Sequence, residues 1–266
     1  MIDTHVHMFV RGLKLASVRR YAPDYDATVE AYQQLMSKTG ISRAVIVQPS
    51  FLGTDNSYMC GIIKRFPDTF RGIATVDASI PDDELDALDA SGIVGIRLNL
   101  DGLPLPDFSS AEWVRLFEAL RKRRWQIEVH RQGKDIPTLI APLLDTGLDI
   151  VVDHFGRPDD EDGVNDPGFL YMMQRRDSKN LWVKLSASYR NGDKGRGAAT
   201  AVKAARMLID NLGPDRLVWG SDWPHTRHEE QQSIPATIKE FQTWVPSESM
   251  RELILESNAA RLFHFE

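Results

Sequence analysis

The chain has 266 residues, 42% of them hydrophobic and 26% charged, the make-up of an ordinary globular protein. Its 32 lysines and arginines against 38 aspartates and glutamates give a net charge of −6, which argues against nucleic acid or an anionic membrane as the main partner. One cysteine, Cys60, excludes an internal disulfide and a cysteine-built zinc site, and with no leader-like segment and no bilayer-length apolar run the expected location is cytoplasmic.

The first element carries the strongest signal. In Ile2-Asp3-Thr4-His5-Val6-His7 apolar and polar residues alternate, which predicts a strand with Asp3, His5 and His7 on one face. Two neutral imidazoles so held can grip one divalent ion, or polarise one substrate oxygen. Further strands are expected at residues 43–48, 72–76, 94–99, 125–130, 150–154, 181–186 and 217–221. Helix-prone stretches lie between them at 28–38, 82–90, 111–121, 135–144 and 200–212. Eight alternating units over a single unit of residues 1–266 predict an α/β fold, a (β/α)8 TIM barrel. The rival, an open doubly wound sheet, would normally bring a glycine-rich phosphate loop, and none is present. Two breaker-rich segments, 159–168 and 190–197, read as solvated loops that could also rim the mouth of the barrel.

In a barrel of this kind the chemistry gathers where strands end. His5 and His7 belong to the first strand, Arg97 ends the fourth, His130 the fifth and His154 the sixth, and the eighth runs into Asp222. These residues are expected to face one pocket, with Asp3 supporting the histidine pair and Glu128 pointing inward one layer deeper. Ser221 is not in a G-x-S-x-G elbow, so a serine-hydrolase triad is not supported.

This constellation resembles the amidohydrolase superfamily, and the resemblance implies a TIM barrel of the metal-dependent-hydrolase type. The likeness extends through Val47-Gln48-Pro49-Ser50, Gly53-Thr54-Asp55-Asn56, Gly95-Ile96-Arg97-Leu98-Asn99, Val152-Asp153-His154-Phe155-Gly156-Arg157-Pro158, Trp182-Val183-Lys184-Leu185-Ser186 and Leu217-Val218-Trp219-Gly220-Ser221-Asp222-Trp223-Pro224-His225. It ends in Asn258-Ala259-Ala260-Arg261-Leu262-Phe263, similar to that family's closing helix. The chain is most similar to the branch of 2-pyrone-4,6-dicarboxylate hydrolase-like lactone hydrolases. The resemblance implies opening of a cyclic ester. Asp222 would be the general base, while His5, His7 and His154, or a metal they help bind, polarise the carbonyl. Arg97 and Arg190 are candidates to grip a substrate carboxylate, with Ser50, Thr54 and Tyr189 adding hydrogen bonds. For the arginines, a structural ion pair is an equal alternative.

In the pyrone-dicarboxylate hydrolases the resemblance implies metal-independent catalysis and a residue other than histidine on strand five. Here His130 stands there. With His5, His7 and Asp222 it would complete a set that suits one zinc. Residues 100–106 lack the second arginine expected for a dicarboxylate, so a monocarboxylated or sugar-derived lactone is the expected small-molecule substrate. A homo-oligomer is compatible with the sequence. The alternatives are a metal-dependent decarboxylase of the same superfamily and a non-catalytic barrel that binds a small ligand.

Overall fold

A computed structural model of the chain describes residues 1–192 and 195–265. Eight parallel strands follow one another in sequence order around one sheet: β1 (Ile2–Val6), β2 (Arg43–Val47), β3 (Phe70–Ala74), β4 (Ile93–Asn99), β5 (Gln126–His130), β6 (Ile150–Val152), β7 (Leu181–Leu185) and β8 (Leu217–Trp219). The helices are α1 (Val29–Thr39), α2 (Ser57–Arg65), α3 (Asp82–Ala90), α4 (Ala111–Lys122), α5 (Ile136–Leu144), α6 (Pro167–Met173), α7 (Arg196–Asn211), α8 (Ile234–Trp244), α9 (Glu248–Glu252) and α10 (Asn258–Leu262). This is the expected (β/α)8 barrel.

Alternation along the strands sorts the core into two parts. Ala44, Ile46, Ile96, Ile127, Val129, Val183 and Leu185 pack against the helices in the larger cluster. Val45, Val47, Val151, Trp182 and Val218 form a second cluster with Leu262, Phe263 and Phe265 of the C-terminal segment, which plugs the barrel. Each such aromatic or branched side chain contributes roughly 1.5–3 kcal/mol on burial.

Local chemistry explains where elements start. Thr28 caps α1 by accepting from Ala31 N, and Gly40 ends it in the left-handed conformation that glycine adopts without strain. The segment 159–168 is a loop only as far as Asp166. That carboxylate accepts from Gly168 N and Phe169 N, and Pro167 opens α6, so an Asp-Pro cap and first turn lie within the predicted loop. The other predicted loop, 190–197, includes Asp193 and Lys194, which lie outside the described residues.

The barrel closes without a regular ladder between β8 and β1. His7 N donates to Trp223 O at 2.8 Å and Asp222 N to His5 O at 2.9 Å. Thr4 Oγ1 donates to Trp219 O at 2.8 Å. Gly220 sits in this seam, where a Cβ would meet His5 Cβ at 2.5 Å, so only glycine fits. The pairing of β1 with β2 shifts register between Asp3 and Val6. Asp3 therefore departs from the expected shared face and reaches Tyr32 of α1 at 2.9 Å. It still supports the pair from behind, because its Oδ1 accepts from Ser221 N and His5 N.

Candidate active site

A cavity of about 670 Å³ opens over the C-terminal ends of the strands, and His7, Arg97, His130, His154, Tyr189, Arg190 and Asp222 all line it. Backbone strain concentrates there. Of nine non-glycine residues with left-handed φ among those described, seven (His154, Phe155, Arg157, Ala187, Asp222, His225 and Arg227) follow β6, β7 or β8. Such conformations cost about 1–3 kcal/mol each and persist where the surroundings enforce them, often at functional sites.

Asp222 is the centre. Its Oδ2 accepts from Tyr189 Oη at 2.6 Å and from Arg190 Nε at 2.7 Å. Its Oδ1 is left facing three imidazole nitrogens: His5 Nε2 at 3.7 Å, His7 Nε2 at 3.7 Å and His154 Nε2 at 4.0 Å. Burial alone would raise the Asp222 pKa, but the Arg190 guanidinium beside it holds it well below the usual carboxylate range. The rings are kept neutral chiefly by burial, which pushes His7 down to about 4 and His154 down to about 3, with His5 also well below its ordinary value. The site thus joins an ionised carboxylate to neutral imidazoles.

Each ring is held by its other nitrogen. His7 Nδ1 donates to Val47 O at 2.7 Å, leaving the lone pair on Nε2. His154 Nδ1 meets Ser186 Oγ at 2.8 Å. His5 Nδ1 lies 3.0 Å from Lys184 Nζ, while its Nε2 is buried without a partner among the described residues. By distance alone His5, His7 and Asp222 could hold a divalent ion. The fit turns on which of these nitrogens carries a lone pair.

The expected site residues separate into two groups. The fold brings His5, His7, His154, Asp222, Tyr189 and Arg190 together. His130 lines the cavity but does not join the Asp222 cluster, because its Nε2 accepts from Arg157 Nη1 at 3.3 Å and its Nδ1 meets Asn99 Oδ1 at 3.2 Å. Ser50 opens a short 3₁₀ turn after β2 and Thr54 lines a separate cavity, so neither borders the Asp222 cavity. Arg97 is 4% exposed and paired with Asp153 at 2.9 Å, and Arg190 is paired with Asp222.

Other arginines also face the cavity. Arg157 has no carboxylate partner among the described residues; burial and the neighbouring Arg190 and Arg20 push its pKa down to about 10. Arg20, from the loop after β1, reaches Asn99 Oδ1 at 3.2 Å and pairs with Asp101. Two arginines from other loops, Arg20 and Arg157, thus line the cavity although residues 100–106 carry none. Below them, Lys184 is fully buried between Glu128 Oε1 at 2.7 Å and Asp153 Oδ1 at 3.3 Å. A lysine on the inward side of an otherwise apolar strand was the signal in the sequence for this layer. Arg157 had only its place after His154 to mark it.

A family model described as amidohydrolase matches residues 2–265. The chain is 30% identical over 275 residues to a 2-pyrone-4,6-dicarboxylate hydrolase from Comamonas testosteroni, covering 98% of this chain and 89% of that one. It is 29% identical over 271 residues to a 4-sulfomuconolactone hydrolase from Hydrogenophaga intermedia, covering 98% and 88%. A crystal structure from Acinetobacter baumannii, described as a probable 2-pyrone-4,6-dicarboxylic acid hydrolase with citric acid bound, is 38% identical. It superposes with a TM-score of 0.96 over 99% of both chains.

Proposed function

The chain belongs to the amidohydrolase family, and from that premise we propose that it is a hydrolase that opens a carboxylated lactone. The observation that carries this reading is Asp222, with one oxygen fixed by Tyr189 and Arg190 and the other facing three neutral imidazoles. An ionised carboxylate in that setting is a general base for water. His7 Nε2 and Asp222 Oδ1, both acceptors and 3.7 Å apart, suit a water that gives one hydrogen to each. The water oxygen attacks the ring carbonyl as its proton passes to Asp222, and negative charge grows on the carbonyl oxygen. His5 and His154 border the position where that oxyanion would be stabilised. When the ring C–O bond breaks, Asp222 returns the proton to the leaving oxygen, which gives a hydroxy acid.

The same cavity supports an anionic substrate. Arg157 and the exposed Arg227 line the cavity without a carboxylate partner among the described residues, and Arg20 with Asn99 borders it too, so one or two substrate carboxylates can be received. Two of the similar proteins carry names of lactone hydrolases whose substrates are dicarboxylate or sulfonated, in keeping with this charge. The zinc expected from the sequence would need imidazole lone pairs turned towards Asp222. The Lys184 ammonium against His5 and the Arg157 contact on His130 argue against the set His5, His7, His130 and Asp222.

The test follows proton release from carboxylated and neutral lactones by wild type and Asp222→Asn. Wild type is expected to hydrolyse carboxylated lactones, and Asp222→Asn to lose at least a hundredfold in kcat, in line with the roughly 10²–10⁴ supplied by a general base, while unfolding at a similar temperature. A folded, active Asp222→Asn enzyme would sink the mechanism. Release of CO2 without ester hydrolysis would point instead to a decarboxylase, and tight binding with no turnover to a ligand-binding barrel.

A further inference from the structure

Lys184 makes three contacts in the barrel interior: Glu128 Oε1 at 2.7 Å, His5 Nδ1 at 3.0 Å and Asp153 Oδ1 at 3.3 Å. An ammonium has three hydrogens and no lone pair. Lys184 donates to Glu128 Oε1 and faces the Asp153 carboxylate, whose other oxygen is paired with Arg97. The contact with His5 is then a hydrogen bond only if Nδ1 brings the lone pair. A neutral imidazole carries one N–H, so the hydrogen must sit on Nε2. Asp153 Oδ1 is the competing partner for an Nδ1 hydrogen, but it lies farther off, at 3.4 Å, and makes no hydrogen bond of acceptable geometry. His7 is fixed the opposite way, because the Val47 carbonyl 2.7 Å from its Nδ1 can only accept.

From these contacts we propose that Lys184 is a positioning residue that holds His5 as an Nε2 hydrogen donor, so that the His5–His7 pair offers one donor and one acceptor rather than two metal-binding lone pairs. The proposal deepens the lactone reading and rests on it for its purpose: the His5 hydrogen faces the developing oxyanion, and the His7 lone pair faces the water. It also explains why His5 Nε2 is buried without a protein partner: its acceptor is a substrate oxygen. Without Lys184 the His5 hydrogen would move to Nδ1 and turn towards Asp153. The pair would then present two lone pairs beside Asp222, a set that suits zinc.

The test is nitrogen NMR on the full chain labelled with ¹⁵N at histidine, recorded at neutral pH without substrate. The His5 signals are assigned by their loss in His5→Gln. The expected spectrum has His5 protonated at Nε2 and His7 protonated at Nδ1; a His5 hydrogen on Nδ1 overturns the proposal. In Lys184→Met, or in Lys184→Met with Glu128→Gln if the single variant does not fold, the His5 hydrogen is expected to shift to Nδ1. Zinc titrated alone by calorimetry is expected to bind at least tenfold more tightly than to wild type. An unchanged tautomer or unchanged zinc affinity in the folded variant also overturns it. Because neither readout uses substrate, failure of the lactone reading is distinguishable, as an inactive wild type with the expected spectrum.

Discussion

Arg97, Arg190 and Arg20 each face the cavity already matched with a carboxylate, on Asp153, Asp222 and Asp101 respectively, whereas Arg157 and the more exposed Arg227 are not matched among the described residues. Removing Arg97 would leave the buried Asp153 with Lys184 alone to offset its charge, a loss of stability that would obscure any effect on substrate. Arg157 is the cleaner probe, since its one described side-chain partner is the neutral ring of His130. A hydrogen bond to a charged group is worth about 1.5–3 kcal/mol, so Arg157→Met is expected to raise KM for carboxylated lactones roughly tenfold to a hundredfold, with kcat changed much less. Steady-state kinetics on a matched pair of carboxylated and neutral lactones measures this, and an equal rise for both would remove Arg157 from substrate recognition.

At the level of elements, the seam between β1 and the segment after β8 sets the distance between His5 and Asp222. Gly220 is the residue that lets the two approach. Gly220→Ala would put a methyl within 2.5 Å of His5 Cβ, an overpacking expected to cost about 1–3 kcal/mol. The larger effect should fall on kcat, because displacing His5 by even a fraction of an ångström opens its contacts with both Asp222 and Lys184. Thermal unfolding beside turnover separates the two, and a variant that loses stability but keeps full kcat would show that the seam does not position His5. This seam also explains what the sequence disclosed. His5, His7, His154 and Asp222 were legible because alternation and strand ends mark them directly. Lys184 was not singled out, since a charge inside Leu181–Leu185 has meaning only once Glu128, Asp153 and His5 are known to converge on it. Ser50 and Thr54 misled because the chain turns away after β2. His130 lines the cavity as expected, and its contact with Arg157 was not legible because Arg157 follows a backbone conformation that no local pattern announces.

For the molecule as a whole, the buried titratable groups set the acid limit. Burial holds His7 and His225 down to about 4 and His154 down to about 3, against 6.5 when unfolded, and pushes His5 and His130 well below that value. Their contribution to stability is complete above pH 6.5 and is lost as pH falls through 4 and 3, because the unfolded chain then binds more protons. Asp3, raised by burial to about 6, and Glu128, raised to about 7, act in the opposite sense, since their contribution is lost as pH rises through those values. Five imidazoles outweigh two carboxyls, so the unfolding temperature is expected to fall between pH 6.5 and 4.5. Calorimetry across that range checks it, and a flat or rising temperature would mean that the rings are protonated in the folded protein. The closing of the barrel on its own first strand has a further consequence, in time rather than space. His5 and His7 are made before the rest of the barrel, while Asp222, Gly220 and the Phe263 plug are made roughly two hundred residues later, about ten to forty seconds at ordinary rates of synthesis. For that interval one edge of a strand bearing two histidines, the edge not paired with β2, has no partner to cover it, so the nascent chain depends on whatever shields it until the eighth strand arrives.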